Sequence, residues 1–194
     1  MKATFHSKRI VLVSAVLLLG AVRPGAAQLD PDNVPRPPAE RLAALESFFG
    51  SFEHSGQYYA GLGPWEGTVD VGTAVKGWYV ELVINTVFGP IDRQLRMLVT
   101  WDQELGRYRV WRFETSPQMP PGTVEAEGWF EGHAFIMEWR DTRGPDGGRG
   151  IFRNTFTMEG PDELVVVTRV EPDWGDPIEL GTWRNVRVED GGSS

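Results

Sequence analysis

No cysteine occurs among the 194 residues of this chain. Its absence excludes disulfides, thiolate metal sites, a cysteine nucleophile and a lipid-acceptor cysteine near the N-terminus, so the core alone must hold the fold. Histidine is scarce too. Beyond the N-terminal segment only His54 and His133 remain, with no H-x-H or H-x-x-x-H pair and no carboxylate cluster beside them, so the usual metal-binding spacings are missing. A G-x-S-x-G turn, a phosphate-cradling glycine loop and a dinucleotide fingerprint are also lacking, which leaves no catalytic motif and no cofactor motif. No basic stripe interrupts the sequence. Lys and Arg total 19 against 27 Asp and Glu, a formal charge of −8, and a field of that sign repels phosphate backbones and anionic headgroups. Nucleic-acid and membrane-surface roles are therefore disfavoured, and the acidity reads as solubility.

The one long hydrophobic run stands at the start. Lys2, Lys8 and Arg9 precede the apolar stretch Ile10 to Val22, and Gly25-Ala26-Ala27 supplies small residues before Gln28. This is the layout of a secretory signal peptide over residues 1–27. The run falls short of the roughly 18 to 20 residues that span a bilayer, which favours cleavage over a retained anchor. Cleavage removes Lys2, Lys8, Arg9 and Arg23, leaving fifteen basic residues against 27 acidic ones and a balance of −12. Roughly 165 residues then remain, enough for one domain to bury most of its apolar surface. A secreted or periplasmic protein of a bacterial envelope is expected, with no stable membrane insertion after cleavage.

Residues 28–38 (QLDPDNVPRPP) form a proline-rich polar linker too poor in apolar groups to fold alone. From Pro38 to Phe49, Leu42, Leu45 and Phe48 or Phe49 recur at helical spacing and Gly50 closes the segment, predicting one short amphipathic helix. After Gly50 the pattern has period two, broken by glycine, proline and aspartate. About ten strands are expected, near 51–60, 67–76, 78–87, 91–102, 106–115, 122–131, 133–140, 150–158, 163–171 and 177–188. Phe152, Asn154, Phe156 and Met158 face inward by alternation, as do Leu95, Met97, Val99 and Trp101. Parity in 106–115 stays open: Tyr108, Val110 and Arg112 compete with Arg109, Trp111 and Phe113, and a bulge would reconcile them. Ten short strands without intervening helices predict a single antiparallel β-barrel or packed pair of sheets over 39–188, with 189–194 as a frayed tail.

The stretch Leu42 to Gly56 (LAALESFFGSFEHSG) resembles the opening of a lipocalin-like bacterial family catalogued as domain of unknown function 1579. In that family a leucine-rich helical turn leads into a glycine-x-aromatic first strand, matched here by Gly50-Ser51-Phe52. The resemblance continues through Gly77-Trp78, the Trp101-Asp102 turn with Gly106-Arg107-Tyr108, Gly122, Gly128, and Arg184 in the closing strand, over roughly residues 42–188. Phe52 stands where tryptophan is common, and the segment Tyr59 to Trp65 departs from the pattern. The resemblance implies a calycin-type barrel of about ten strands, a possible internal cavity and no established reaction. It also raises His133, beside Phe135 and Met137, as a haem-ligand candidate, against the alternative of a satisfied or exposed histidine.

Several polar residues fall on expected inward positions. His54 and Tyr58 share a face with Phe52, Asn154 lies between Phe152 and Phe156, and Arg184 falls between Ile178-Leu180 and Val186-Val188. An inward arginine must meet a carboxylate, carbonyls, water or a ligand anion, because an unpaired buried charge is prohibitively costly. Arg184, Asn154, His54 and Tyr58, with Trp65 from a Gly/Pro-rich loop, are thus the candidate polar end of an apolar pocket. The alternative is that Arg184 pairs with a glutamate and merely closes one end. Trp78, Trp101 and Trp139 alternate with aliphatics as core, whereas Trp174 sits in a loop. Glu125 and Glu127 alternate with Val124 and Ala126 and face solvent. The 141–150 segment (DTRGPDGGRG) reads as a hairpin loop whose aspartates match no calcium-loop spacing.

Two functions fit. In one, the barrel binds a small hydrophobic or amphipathic molecule without a defined reaction; in the other, it is a structural or interaction protein of the envelope, filled by its own aromatic residues. An internal pocket of roughly 300 Å³ or more, lined by Arg184 and Asn154, would favour the binder. An enzyme ranks behind both, and the oligomeric state is not legible.

Overall fold

A computed structural model describes residues 36–58, 63–88, 91–116, 119–141 and 150–188. The expected signal peptide, most of the linker, the C-terminal tail and the interior of the 141–150 loop lie outside them. The described residues build a closed barrel of ten antiparallel strands, each paired with its neighbours in sequence and the last with the first. The strands are β1 (Gly50–Tyr58), β2 (Gly63–Ala74), β3 (Tyr79–Phe88), β4 (Ile91–Asp102), β5 (Arg107–Ser116), β6 (Met119–Glu131), β7 (Ala134–Asp141), β8 (Gly150–Met158), β9 (Glu163–Pro172) and β10 (Ile178–Arg187). Closure leaves no free edge, which removes the pairing hazard of an open sheet in a chain without disulfides. The architecture is lipocalin-like.

The up-and-down order gives the barrel two distinct ends. One gathers the starts of the odd strands and the ends of the even ones, and the N-terminal segment covers it. The predicted helix proves short: α1 is Ala39–Ala43, and a separate 3-10 turn follows at Glu46–Phe48. Its apolar residues still serve the expected face, since Leu45 and Phe48 are buried in the core. The Phe48 ring stacks on Phe130 at 6.4 Å. The Tyr108 hydroxyl donates to the Arg41 carbonyl at 2.6 Å, and the Arg41 guanidinium lies 4.2 Å over Trp101. Below this cap the core is layered with Val80, Leu82, Met97, Val99, Tyr108, Val110, Phe135, Met137, Phe156 and Leu164.

Alternation decides which residues reach that core. Phe52 and His54 on β1 and the inward sets on β4 and β8 are those expected. On β5, Tyr108, Val110 and Arg112 face in, and the strand holds unbroken register with both neighbours through Glu114, so no bulge is needed between 107 and 114. The register of β5 with β6 shifts only after Glu114, before Ser116, and a second shift falls in β10, where pairing with β9 moves between Glu179 and Gly181 and leaves Leu180 unpaired. One extra residue reverses every following side chain. Asn185 therefore faces in, and Val186 and Val188 face out.

Candidate functional site

The barrel interior has two unlike halves. In the capped half, Leu45, Phe48, Val71, Met97, Phe135 and Leu164 surround a cavity of only about 20 Å³, room for a single water-sized body. A larger hollow of about 330 Å³ lies on the outer face, beside Ser51, Asp70, Glu81 and Val83. It contains neither Arg184 nor Asn154, so it is not the internal pocket that the sequence reading envisaged.

The half away from the cap carries charge. Arg93 at the start of β4 alternates inward with Leu95 and Met97, and Arg112 and Glu114 continue the inward row of Tyr108 and Val110. Glu114 sits between the two arginines: Arg112 Nη2 lies 2.6 Å from Oε2, and Arg93 Nε lies 2.7 Å from Oε1, close but off the hydrogen-bond line. Their side chains are only 13 to 18 % exposed. Each guanidinium also rides an indole, Arg93 over Trp65 at 5.2 Å and Arg112 over Trp139 at 5.2 Å. Trp65 meets Trp183 at 6.3 Å, and Trp139 stacks on Phe152 at 5.3 Å. The result is an arch of Trp65, Arg93, Glu114, Arg112 and Trp139 in which two guanidinium groups approach one carboxylate. Partial desolvation and aromatic faces strengthen both kinds of contact.

His54 and Asn185 lie deeper, across the seam between β1 and β10. Asn185 is 1 % exposed. Its Nδ2 donates to the Leu164 carbonyl at 2.8 Å, which fixes the amide orientation and leaves Oδ1 to accept from His54 Nδ1–H at 2.6 Å. Burial pushes the His54 pKa below its usual value; the bond to Asn185 opposes this and the Arg93 charge adds to it. The imidazole is thus held neutral as the Nδ1–H tautomer.

The expected site residues scatter. Arg184 requires correction: the β10 bulge turns it outward, where its side chain is 55 % exposed and pairs with Glu163 and Glu159. The arginine that bends over the core from the end of β10 is Arg187, 4.7 Å above Phe52 and donating to the carbonyls of Phe49 and Pro161. Asn154 faces inward as expected, but its Oδ1 accepts from the Thr168 hydroxyl on the paired strand. Trp65 lies in β2 rather than a loop and does line the uncapped half. The Tyr58 backbone ends β1, while its side chain lies outside the described residues. His133 is exposed in the β6–β7 turn and not beside the core, which removes the basis for an inward haem ligand. Trp78 and Trp101 are half-buried rather than buried, and Trp174 is exposed. Glu125 and Glu127 face out and pair with Arg109 and Arg107.

Sequence reasoning missed Arg93 and Glu114 entirely and held Arg112 in the balance. The available signal was the row Tyr108, Val110, Arg112, Glu114, in which two apolar residues set a parity that two charged ones keep. No group of three or more histidine or acidic side chains among the described residues is placed to hold a metal ion.

Fold and interior together define a lipocalin-like closed barrel with a filled, capped half and a polar, aromatic half. No family model matches the chain, and no curated protein matches it. Solved structures do show likeness. An S-type phycobiliprotein lyase, CPES, from Guillardia theta is 11 % identical over 75 % of this chain and 91 % of its own, with a TM-score of 0.48. Rv2717c from M. tuberculosis is 16 % identical over 80 % of this chain and 100 % of its own, at 0.37. A protein of unknown function from the DUF3598 family of Nostoc punctiforme is 10 % identical over 76 % and 98 %, at 0.21.

Proposed function

We propose that this barrel binds a small hydrophobic or amphipathic molecule in its uncapped half. The observation that supports it is the contrast between the two halves. The capped half is packed with aliphatic and aromatic side chains, whereas the other is walled by Trp65, Trp139, Trp183 and Phe152 around the Arg93–Glu114–Arg112 cluster. Apolar walls with a few convergent polar groups are the usual composition of a small-molecule site. Membership of the lipocalin-like family that the sequence resembles, and a secreted or periplasmic location, belong to the same reading. A mature N-terminus near Gln28, read by N-terminal sequencing of the protein from its host, tests the location.

Native mass spectrometry of that protein tests the binding. A co-purifying molecule of a few hundred daltons that quenches tryptophan emission on rebinding supports a carrier. A bare mass, with tryptophan emission indifferent to apolar probes, favours the second reading, a filled barrel acting as a structural or interaction protein. The small size of the cavity in the capped half speaks for that alternative.

A further inference from the structure

We infer that the molecule this barrel takes is held head-first by a hydroxyl group, which donates to His54 Nε2 and accepts from the Thr86 hydroxyl. The inference rests on the binder reading above and specifies the headgroup. Two buried side chains carry it, and the sheet brings them together.

The first is the imidazole. Asn185 keeps the His54 proton on Nδ1, because its own Nδ2 is committed to the Leu164 carbonyl. Nε2 is left as a lone pair to which no described residue donates. His54 is 7 % exposed, and Nε2 has a share of that small surface, so the atom is buried in the barrel without being sealed off. Burial, with the Arg93 charge, keeps the ring neutral. This nitrogen therefore accepts and does not donate.

The second is Thr86. It faces inward on β3 and is 3 % exposed, and its hydroxyl is likewise without a partner among the described residues and not sealed off. Polar groups this deeply buried ordinarily have partners. Gly67 pairs with His54 on one side and with Thr86 on the other, so no side chain stands between the two. β3 passes Gly67 so closely that a Cβ there would lie 2.9 Å from the Thr86 Cα, which draws Thr86 toward β1. A hydroxyl answers both groups with one atom, since its oxygen donates and accepts. An ionised carboxylate has no proton for Nε2, and an ammonium would meet the charge of Arg93. The flank for the attached chain is aromatic. Cβ atoms at Gly56 and Gly181 would stand 2.6 Å from Trp183 Cδ1 and 3.4 Å from its Cζ2, so the indole lies along the seam wall, beside Trp65.

The test uses undecanol labelled with dansyl at the end away from the hydroxyl, its methyl ether, and the same chain ending in a methyl group. Each is titrated into the full chain by fluorescence, with urea midpoints and circular dichroism recorded for every variant. The ether keeps an acceptor oxygen and loses the donor. The alcohol is expected to bind about fivefold more tightly than the ether, the yield of one buried hydrogen bond. His54→Phe removes the acceptor and should bring the alcohol-to-ether ratio close to one, whereas a merely steric preference would survive it. Thr86→Val keeps the shape and removes the hydroxyl. It should weaken alcohol and ether alike by about threefold, spare the oxygen-free chain, and leave the urea midpoint no lower, because the empty protein loses no bond. Equal binding of alcohol and ether by the natural protein overturns the hydroxyl inference and leaves the binder reading standing. So does a ratio that persists in a folded His54→Phe, or an equal loss of all three probes in Thr86→Val, which decides the matter if His54→Phe does not fold. Failure of all three to bind overturns the two readings together.

Discussion

At the residue scale, the same side-chain type has opposite weight depending on which face of a strand it occupies. Arg184 and Asn185 are adjacent, yet one is solvent-exposed and the other lies inside the seam with both ends of its amide bonded. Arg184→Ala should leave the urea midpoint within experimental scatter, because exposed ion pairs lose most of their attraction to screening and side-chain entropy. Asn185→Ala should cost about 1 to 3 kcal/mol, since it orphans the Leu164 carbonyl and the His54 Nδ1–H in a buried setting. Parallel urea titrations of the two variants check both outcomes, and a reversed order would contradict the strand register. The sequence suggested the wrong neighbour for a physical reason. Ile178, Leu180, Val186 and Val188 share a parity, and their hydrophobicity marks the even face as inward. The bulge at Leu180 breaks the rule and leaves Val186 and Val188 exposed. A bulge needs one extra residue and no special composition, so period-two reading passes over it.

At the scale of elements, the ten strands were legible because each alternates and each turn is punctuated, and the boundaries moved mainly where glycine and proline belong to a strand. Gly63-Pro64-Trp65-Glu66-Gly67 looks like a loop but pairs with β1 along its length. Gly67 is there for close approach: a Cβ at that position would stand 1.8 Å from the Asn85 carbonyl oxygen. Gly67→Ala must push β2 from β3 or twist the strand, and a loss of about 1 to 3 kcal/mol is expected, as for other overpacked sites. The turn from β2 to β3 errs in the other direction. Val75 and Lys76 have φ of 48° and 57°, a left-handed conformation that costs a β-branched residue roughly 1 to 2 kcal/mol and suits asparagine far better. Val75→Asn should therefore stabilise the protein by about 1 kcal/mol, read as a rise of a few degrees in Tm. The cap should show the reverse sensitivity. Phe48→Ala removes the ring that stacks on Phe130 and is expected to cost about 3 to 5 kcal/mol in the urea midpoint.

For the whole molecule, closure is the feature on which the rest depends, and it was legible only as an option. Alternation shows that a sheet has an inside but not whether its first and last strands meet, because that pairing joins residues more than a hundred positions apart. The candidate site was obscured for a related reason: Arg93, Arg112, Trp65 and Trp139 come from four strands, and none is unusual until the barrel brings them together. With no cysteine in the chain, the β1–β10 seam is held by its ladder and by a few side chains, chief among them the His54–Asn185 bond. That bond makes the seam acid-sensitive. His54 titrates below its usual value when folded, chiefly through burial, and near 6.5 when unfolded. Above about 6.5 both states are neutral there and the full stability is present. As the pH falls below that value the unfolded chain takes up the proton first, and stability is lost until the folded pKa is passed. Protonation would also place a second positive charge in the field of Arg93. Amide exchange followed from pH 7.5 down to pH 5, corrected for intrinsic rates, should therefore show protection falling first along β1 and β10. His54→Gln keeps a side-chain donor for Asn185 but cannot titrate, and it should flatten that pH dependence. Uniform loss of protection around the barrel, unchanged in His54→Gln, would assign acid sensitivity to the many surface carboxylates instead of the seam.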